Sequence, residues 1–103
     1  MIATTALVEA SGAPAPLREL ERSFRRHYEH VAVGDRSYLV RLHSGPALVT
    51  GGATSLRVDV VVRDDAAEGA FRRSFADELA GRLGGHGLHV AWSRGDTVPV
   101  ALR

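Results

Sequence analysis

The stretch Leu56-Arg57-Val58-Asp59-Val60-Val61-Val62-Arg63 sets apolar side chains at every even position and charge at Arg57, Asp59 and Arg63 among the odd ones. Successive side chains of a strand point to opposite faces, so this pattern predicts a strand with one face on a core and the other toward water. That is the signature of an antiparallel sheet covered on one side only. Upstream, Tyr38, Val40 and Leu42 alternate with Ser37, Leu39 and Arg41. A break at Ser44-Gly45-Pro46 leads into Ala47-Leu48-Val49, which reads as a hairpin after the Gly34-Asp35 turn. Residues 50–55, TGGATS, form a turn cluster, since Gly51 and Gly52 can take positive φ.

Working outward, Leu17, Leu20, Phe24, Tyr28 and Val31 recur three or four residues apart, an amphipathic helix of about four turns expected to end near His30. Ser11, Gly12, Pro14 and Pro16 punctuate its start. On the other side, Asp65 and Glu68 resemble a capping box for a second helix, whose apolar stripe is Phe71, Phe75, Leu79 and Leu83 and whose stop is Gly84-Gly85. Residues 2–9 read as a first strand and Leu88-Val90-Trp92 as a closing strand, with Val98, Val100 and Leu102 as a short edge strand around Pro99. The order is β-α-β-β-β-α-β. A run of strands between two helices predicts an α+β fold, one antiparallel β-sheet with two α-helices packed on one face, forming a single α+β domain over 1–103.

Composition narrows the function. The chain has 103 residues, 45% apolar and 24% charged, enough for one core and no staple, and it contains no cysteine for disulfides, thiolate zinc or iron–sulfur clusters. Thirteen basic against twelve acidic side chains give +1, which speaks against a nucleic-acid footprint. All thirteen are Arg; without Lys there is no Schiff-base chemistry and no P-loop, and the absence of Lys, Asn and Gln fits a high-GC, actinobacterial composition. No apolar run is long enough for a bilayer and the start lacks the order of a secretion signal, so the expectation is a cytoplasmic protein without membrane association.

Leu17-x-x-Leu20 leading to Phe24, His27-x-x-His30, a Gly45 turn, the LRVDVVV strand, a helix bearing Phe75 and Leu79, and the LHVAW strand at 88–92 together resemble the uncharacterised bacterial family called domain of unknown function 2218, over about residues 4 to 93. The resemblance implies a compact α+β domain found near, or fused to, siderophore-interacting flavoproteins. In the family pattern the first helix ends in His-x-x-His, as His27 and His30 do. The second helix commonly carries another His, and the aligned position here is Glu78, a departure that weakens transfer of a shared metal or haem site.

Read for chemistry, His27 and His30 on one helix would lie on neighbouring azimuths, and Glu78 would complete a two-His, one-carboxylate set suited to Fe or Zn. The bland alternative packs His27 beside Phe24, lets His30 cap the helix and leaves Glu78 solvated, with no cofactor. The same residues would serve proton transfer, His27 and Glu78 as acid and base, beside a cavity lined by Tyr28, Tyr38, Phe71, Phe75 and Trp92. Those aromatics would equally fill a core. His86 and His89 face apart, His43 has no evident partner, and no serine sits in a Gly-x-Ser-x-Gly elbow. Arg94-Gly95-Asp96 reads as a turn. Arg18, Arg22, Arg25-Arg26 and Arg72-Arg73 offer a surface for an anionic ligand, largely neutralised by Glu19, Glu21, Glu29, Asp77 and Glu78. The expected function is that of a small accessory domain binding a small-molecule ligand, with a link to siderophore and iron utilisation from the resemblance. The alternatives are a cofactor-free isomerase or cyclase of specialised metabolism and a scaffold without a ligand site. An uncovered sheet face, with Tyr38 or Val61 among its side chains, favours a homodimer.

Overall fold

A computed structural model describes residues 1–10, 15–42, 45–83, 88–95 and 98–102. The elements are β1 (Ile2–Ala10), α1 (Ala15–His27), β2 (His30–Ala32), β3 (Ser37–Leu42), β4 (Gly45–Gly51), β5 (Ser55–Val62), α2 (Asp65–Leu83), β6 (Leu88–Gly95) and a 3₁₀ turn (Val100–Leu102). Six strands form one sheet in the order β2-β3-β4-β5-β1-β6, every neighbouring pair antiparallel. Because β5 and β6 both run against β1, α2 joins two strands that point the same way. The link from β1 to β2 carries α1 across the sheet in the same manner. The α+β architecture expected from the sequence is therefore present, with β2 added.

The period-two reading of residues 56–63 holds: Leu56, Val58, Val60 and Val62 are buried while Arg57 is exposed. Thr4, Ala6 and Val8 of β1, Tyr38, Val40 and Leu42 of β3, and Ala47 and Val49 of β4 complete this face. Leu17, Leu20 and Phe24 of α1 and Phe71, Phe75 and Leu79 of α2 are buried with them in one cluster. Burying a large apolar side chain contributes about 1.5–3 kcal/mol, so the shared layer is the main favourable term in holding two helices to one sheet.

Several expectations need correction. The first helix stops at His27, one turn early. Tyr28 N–H still donates to Phe24 O at 3.1 Å, but Glu29 O accepts from Arg41 N–H at 3.0 Å, so the chain has already joined β3. His30 consequently lies on β2 opposite Val40. The cap of α2 is Asp64, whose carboxylate accepts the Ala67 N–H at 2.8 Å; Glu68 does not complete a box with Asp65 but turns inward, 5% exposed. Residues 100–102 form a 3₁₀ turn, with Leu102 N–H donating to Pro99 O, instead of an edge strand. The positive φ among the described glycines belongs to Gly45 (120°), not to Gly51 or Gly52. Gly51 ends β4 as an ordinary extended residue, and Gly52 N–H closes the turn on Ser55 O at 2.8 Å. Tyr38 faces the helices, while Val61 does lie on the other face, paired with Ala3. The breaks at 11–14 and 84–85, and His43, Ser44, His86 and Asp96, lie outside the described residues.

That other face centres on Asp59, 5% exposed. Its carboxylate accepts the Thr5 hydroxyl at 2.6 Å and the Arg57 Nε at 3.0 and 3.1 Å, which offsets the cost of burying the charge. Leu48 stands opposite it and Leu39 opposite Leu48.

Candidate functional site

Arg18, Glu21 and Arg25 recur at three- and four-residue spacing on α1, beside its apolar stripe, so they share the side of the helix that overhangs β3 and β4. Together with Leu17, Asp35, Arg36, Leu56 and the turn residues Gly51, Gly52 and Ala53 they line a cleft of about 350 Å³. A second cleft of about 220 Å³ shares Arg25, Asp35 and Arg36 and adds His30, Ser37 and Tyr38. The shared residues make the two clefts one groove. Three guanidiniums face two carboxylates there.

Tyr38 organises its floor. The hydroxyl donates to Glu21 Oε1 at 3.3 Å, the Arg25 guanidinium lies 4.7 Å from the ring centre, and the His30 ring meets it edge-on at 6.3 Å. Burial raises the tyrosine's pKa and the Glu21 carboxylate raises it further, with Arg25 opposing, so the hydroxyl is a donor at neutral pH. Gly51 allows Glu21 in: a Cβ at that position would stand 3.2 Å from Glu21 Oε1. Gly51 N–H donates to Arg36 O at 2.8 Å, which ties the backbone bearing one guanidinium to the strand bearing the cleft wall. Among the described residues neither Arg18 nor Arg36 belongs to an ion pair.

No family model matches the chain, and no curated protein does. A solved structure does: the NMR structure of PA4090 from Pseudomonas aeruginosa superposes with a TM-score of 0.54, at 14% identity over 90% of this chain and 96% of that one. The two share a fold. At that identity the likeness extends no further.

The residues singled out from the sequence fall in different places. His27 is exposed at the end of α1 and His30 is exposed on β2, so they do not form a helical pair. Glu78 is half-buried and accepts a hydrogen bond from the Tyr28 hydroxyl. Among the described residues no three His, Asp or Glu side chains come together to hold a metal, and His27, His30 and Glu78 therefore make no such group. Phe71, Phe75 and Trp92 pack on one another, with ring centres 5.7 and 5.8 Å apart, and Phe75 meets Phe24 at 6.3 Å. They are part of the packed layer between helices and sheet. Tyr38 is the aromatic candidate that reaches the groove.

The sequence also concealed a polar cluster on the opposite flank. Arg94 of β6 clamps the buried Glu68 through Nε at 3.0 and 3.1 Å and through Nη2 at 2.5 Å, and also holds Asp65 at 2.5 Å. Arg72, one turn along α2, adds a 3.5 Å contact to Glu68 and lays its guanidinium 5.1 Å from the Trp92 ring centre. The Arg94 hydrogen bonds pull the Glu68 carboxyl below its usual range against the opposing effect of burial, and Thr4 assists. A partly exposed guanidinium aimed from a neighbouring strand is a long-range partner that spacing along one helix does not reveal.

Proposed function

We propose that the chain is a small accessory domain that binds a small anionic molecule in the groove under α1. The observation that carries this reading is the convergence of Arg18, Arg25 and Arg36 on one concave surface, all three outside any ion pair among the described residues. Guanidiniums match carboxylate and phosphate oxygens in pairs, and the Tyr38 hydroxyl orients the Glu21 carboxylate at the floor. The link to siderophore utilisation implied by the family resemblance belongs to the same proposal, since carboxylate chelators are anions of this class.

Titration of the protein with citrate, malate and inorganic phosphate, followed by amide NMR shifts, tests it. At least one of these anions should move the Arg36, Gly51 and Gly52 amides, and Arg36→Ala should weaken that binding by about tenfold. Absence of shifts from all three, or binding unmoved by Arg36→Ala and Arg18→Ala alike, would contradict the proposal.

A further inference from the structure

β6 (Leu88–Gly95) is the last strand of the sheet, and among the described residues nothing pairs with its outer side. The two edges of the sheet differ. At one end β2 offers three residues; at the other β6 offers eight, in unbroken register with β1 from Ala10↔Leu88 to Ala3↔Gly95. Long edges are normally blunted by proline, a bulge or outward charge, because their free N–H and C=O groups otherwise recruit another strand. β6 has no proline and no bulge, and the charge it carries in Arg94 is folded back onto Glu68 and Asp65. A second observation points the same way. Leu88, Val90 and Trp92 pack against the core yet remain only half-buried, so the apolar layer reaches this edge and stops unfinished.

We infer that β6 pairs antiparallel with β6 of a second copy about a twofold axis, doubling the six-stranded sheet. The strand suits itself. In a pairing centred on Ala91, Val90 faces the other copy's Trp92 and His89 faces Ser93, so the inward apolar row continues across the junction. Arg94, at the strand end, meets Leu88 instead of its own counterpart, and no like charges oppose. Ala91, exposed and small, permits close approach at the centre. One strand pair with three apolar side chains per copy is a small interface, so the association is weak, on the order of micromolar.

Sedimentation equilibrium of the whole chain, run across micromolar concentrations, tests this. Wild type should reversibly dimerise, and Ala91→Lys should raise the dissociation constant by about tenfold or more through opposed charges at the axis, with an unchanged melting curve at dilutions where wild type is monomeric. Should that variant melt early, Ala91→Glu, which opposes two carboxylates at the same axis, takes its place. The chain has no cysteine, so Ala91→Cys treated with a short bis-maleimide should crosslink, while Ala32→Cys on the opposite edge strand should not. A monomer at every concentration, a dimer indifferent to charge at position 91, or crosslinking through position 32 in preference to 91 would overturn the inference.

Discussion

Where α2 meets β1 and β6, Arg94 is bound to Glu68 and Asp65, and Arg72 to Glu68 and the Trp92 ring. Where α1 overhangs β3 and β4, Arg25 lies on Tyr38, while Arg18 and Arg36 enter no ion pair among the described residues. The same residue type thus plays two parts on one sheet. On the α2 flank both guanidiniums compensate the one buried carboxylate, Glu68, and the aromatic rings of Phe71, Phe75 and Trp92 close the space beneath. On the α1 flank the guanidiniums border a groove and keep their hydrogen-bonding capacity for something else. Charge consumed within the fold holds the fold together. Charge left at the rim of a concavity is available to a ligand.

The largest effect should come from emptying the α2 flank. Phe75 is 2% exposed and touches Phe24, Phe71 and Trp92 with its ring, so Phe75→Ala removes the piece common to both helices and the sheet edge. Loss of about 3–5 kcal/mol is expected, read as a large fall in the chemical-denaturation midpoint. Arg36→Ala on the other flank should change stability by no more than about 0.5 kcal/mol, since its side chain is exposed. Equal losses from the two substitutions would erase the distinction between the flanks.

The distinction was only half legible in the sequence. Apolar periodicity located Leu17, Leu20 and Phe24, the 56–63 strand and the Phe71-Phe75-Leu79 stripe, because burial imposes periods of 3.6 and 2 that any chain must obey. It misjudged what happens at His27-Tyr28-Glu29-His30, where helical spacing continues but pairing with β3 ends the helix, and with that the His-x-x-His geometry is lost. Glu68 carries a cap's spacing, yet its partner Arg94 lies on a strand twenty-six positions away, beyond any local pattern. The groove suffered from the same blindness. Arg18 and Arg25 were visible as charges neutralised by their neighbours in sequence, whereas Arg36 and Gly51 join them only through the order of strands.

An intermediate effect should follow from pH at Glu68. Its carboxyl is held below its ordinary range in the folded chain, chiefly by Arg94, so the folded state binds this proton less readily than the unfolded state does. The resulting stabilisation is complete above the ordinary carboxylate pKa and is lost as pH falls through the depressed one. Glu68→Gln keeps the shape and removes the charge. Its unfolding midpoint should lie below that of wild type at neutral pH, and the gap should shrink in acid, where the wild-type carboxyl becomes neutral as well. A gap that stayed constant down the acid limb would show that Arg94 contributes packing here and no charge-dependent stability.

The smallest effect is expected on the α1 flank, at Gly51. Its backbone is not left-handed, so alanine meets no conformational penalty, and fewer unfolded conformations favour the variant by about 0.4–1 kcal/mol. The new methyl would stand 3.2 Å from Glu21 Oε1, a contact the flexible carboxylate relieves by moving a few tenths of an ångström, at the expense of its 3.3 Å bond from Tyr38. A neutral hydrogen-bond donor to a carboxylate is worth about 1.5–3 kcal/mol when well formed and less at this length, so the two changes nearly cancel in stability. They do not cancel in titration. Burial keeps the Tyr38 pKa raised, but the part owed to Glu21 is reduced, and the hydroxyl should ionise at lower pH than in wild type while remaining above an ordinary tyrosine. Tyrosinate absorbance in a Tyr28→Phe background isolates this group, since the chain has two tyrosines. An unmoved titration, with stability down by more than about 1 kcal/mol, would mean that Gly51 serves the backbone of β4 and has no part in setting the groove's floor.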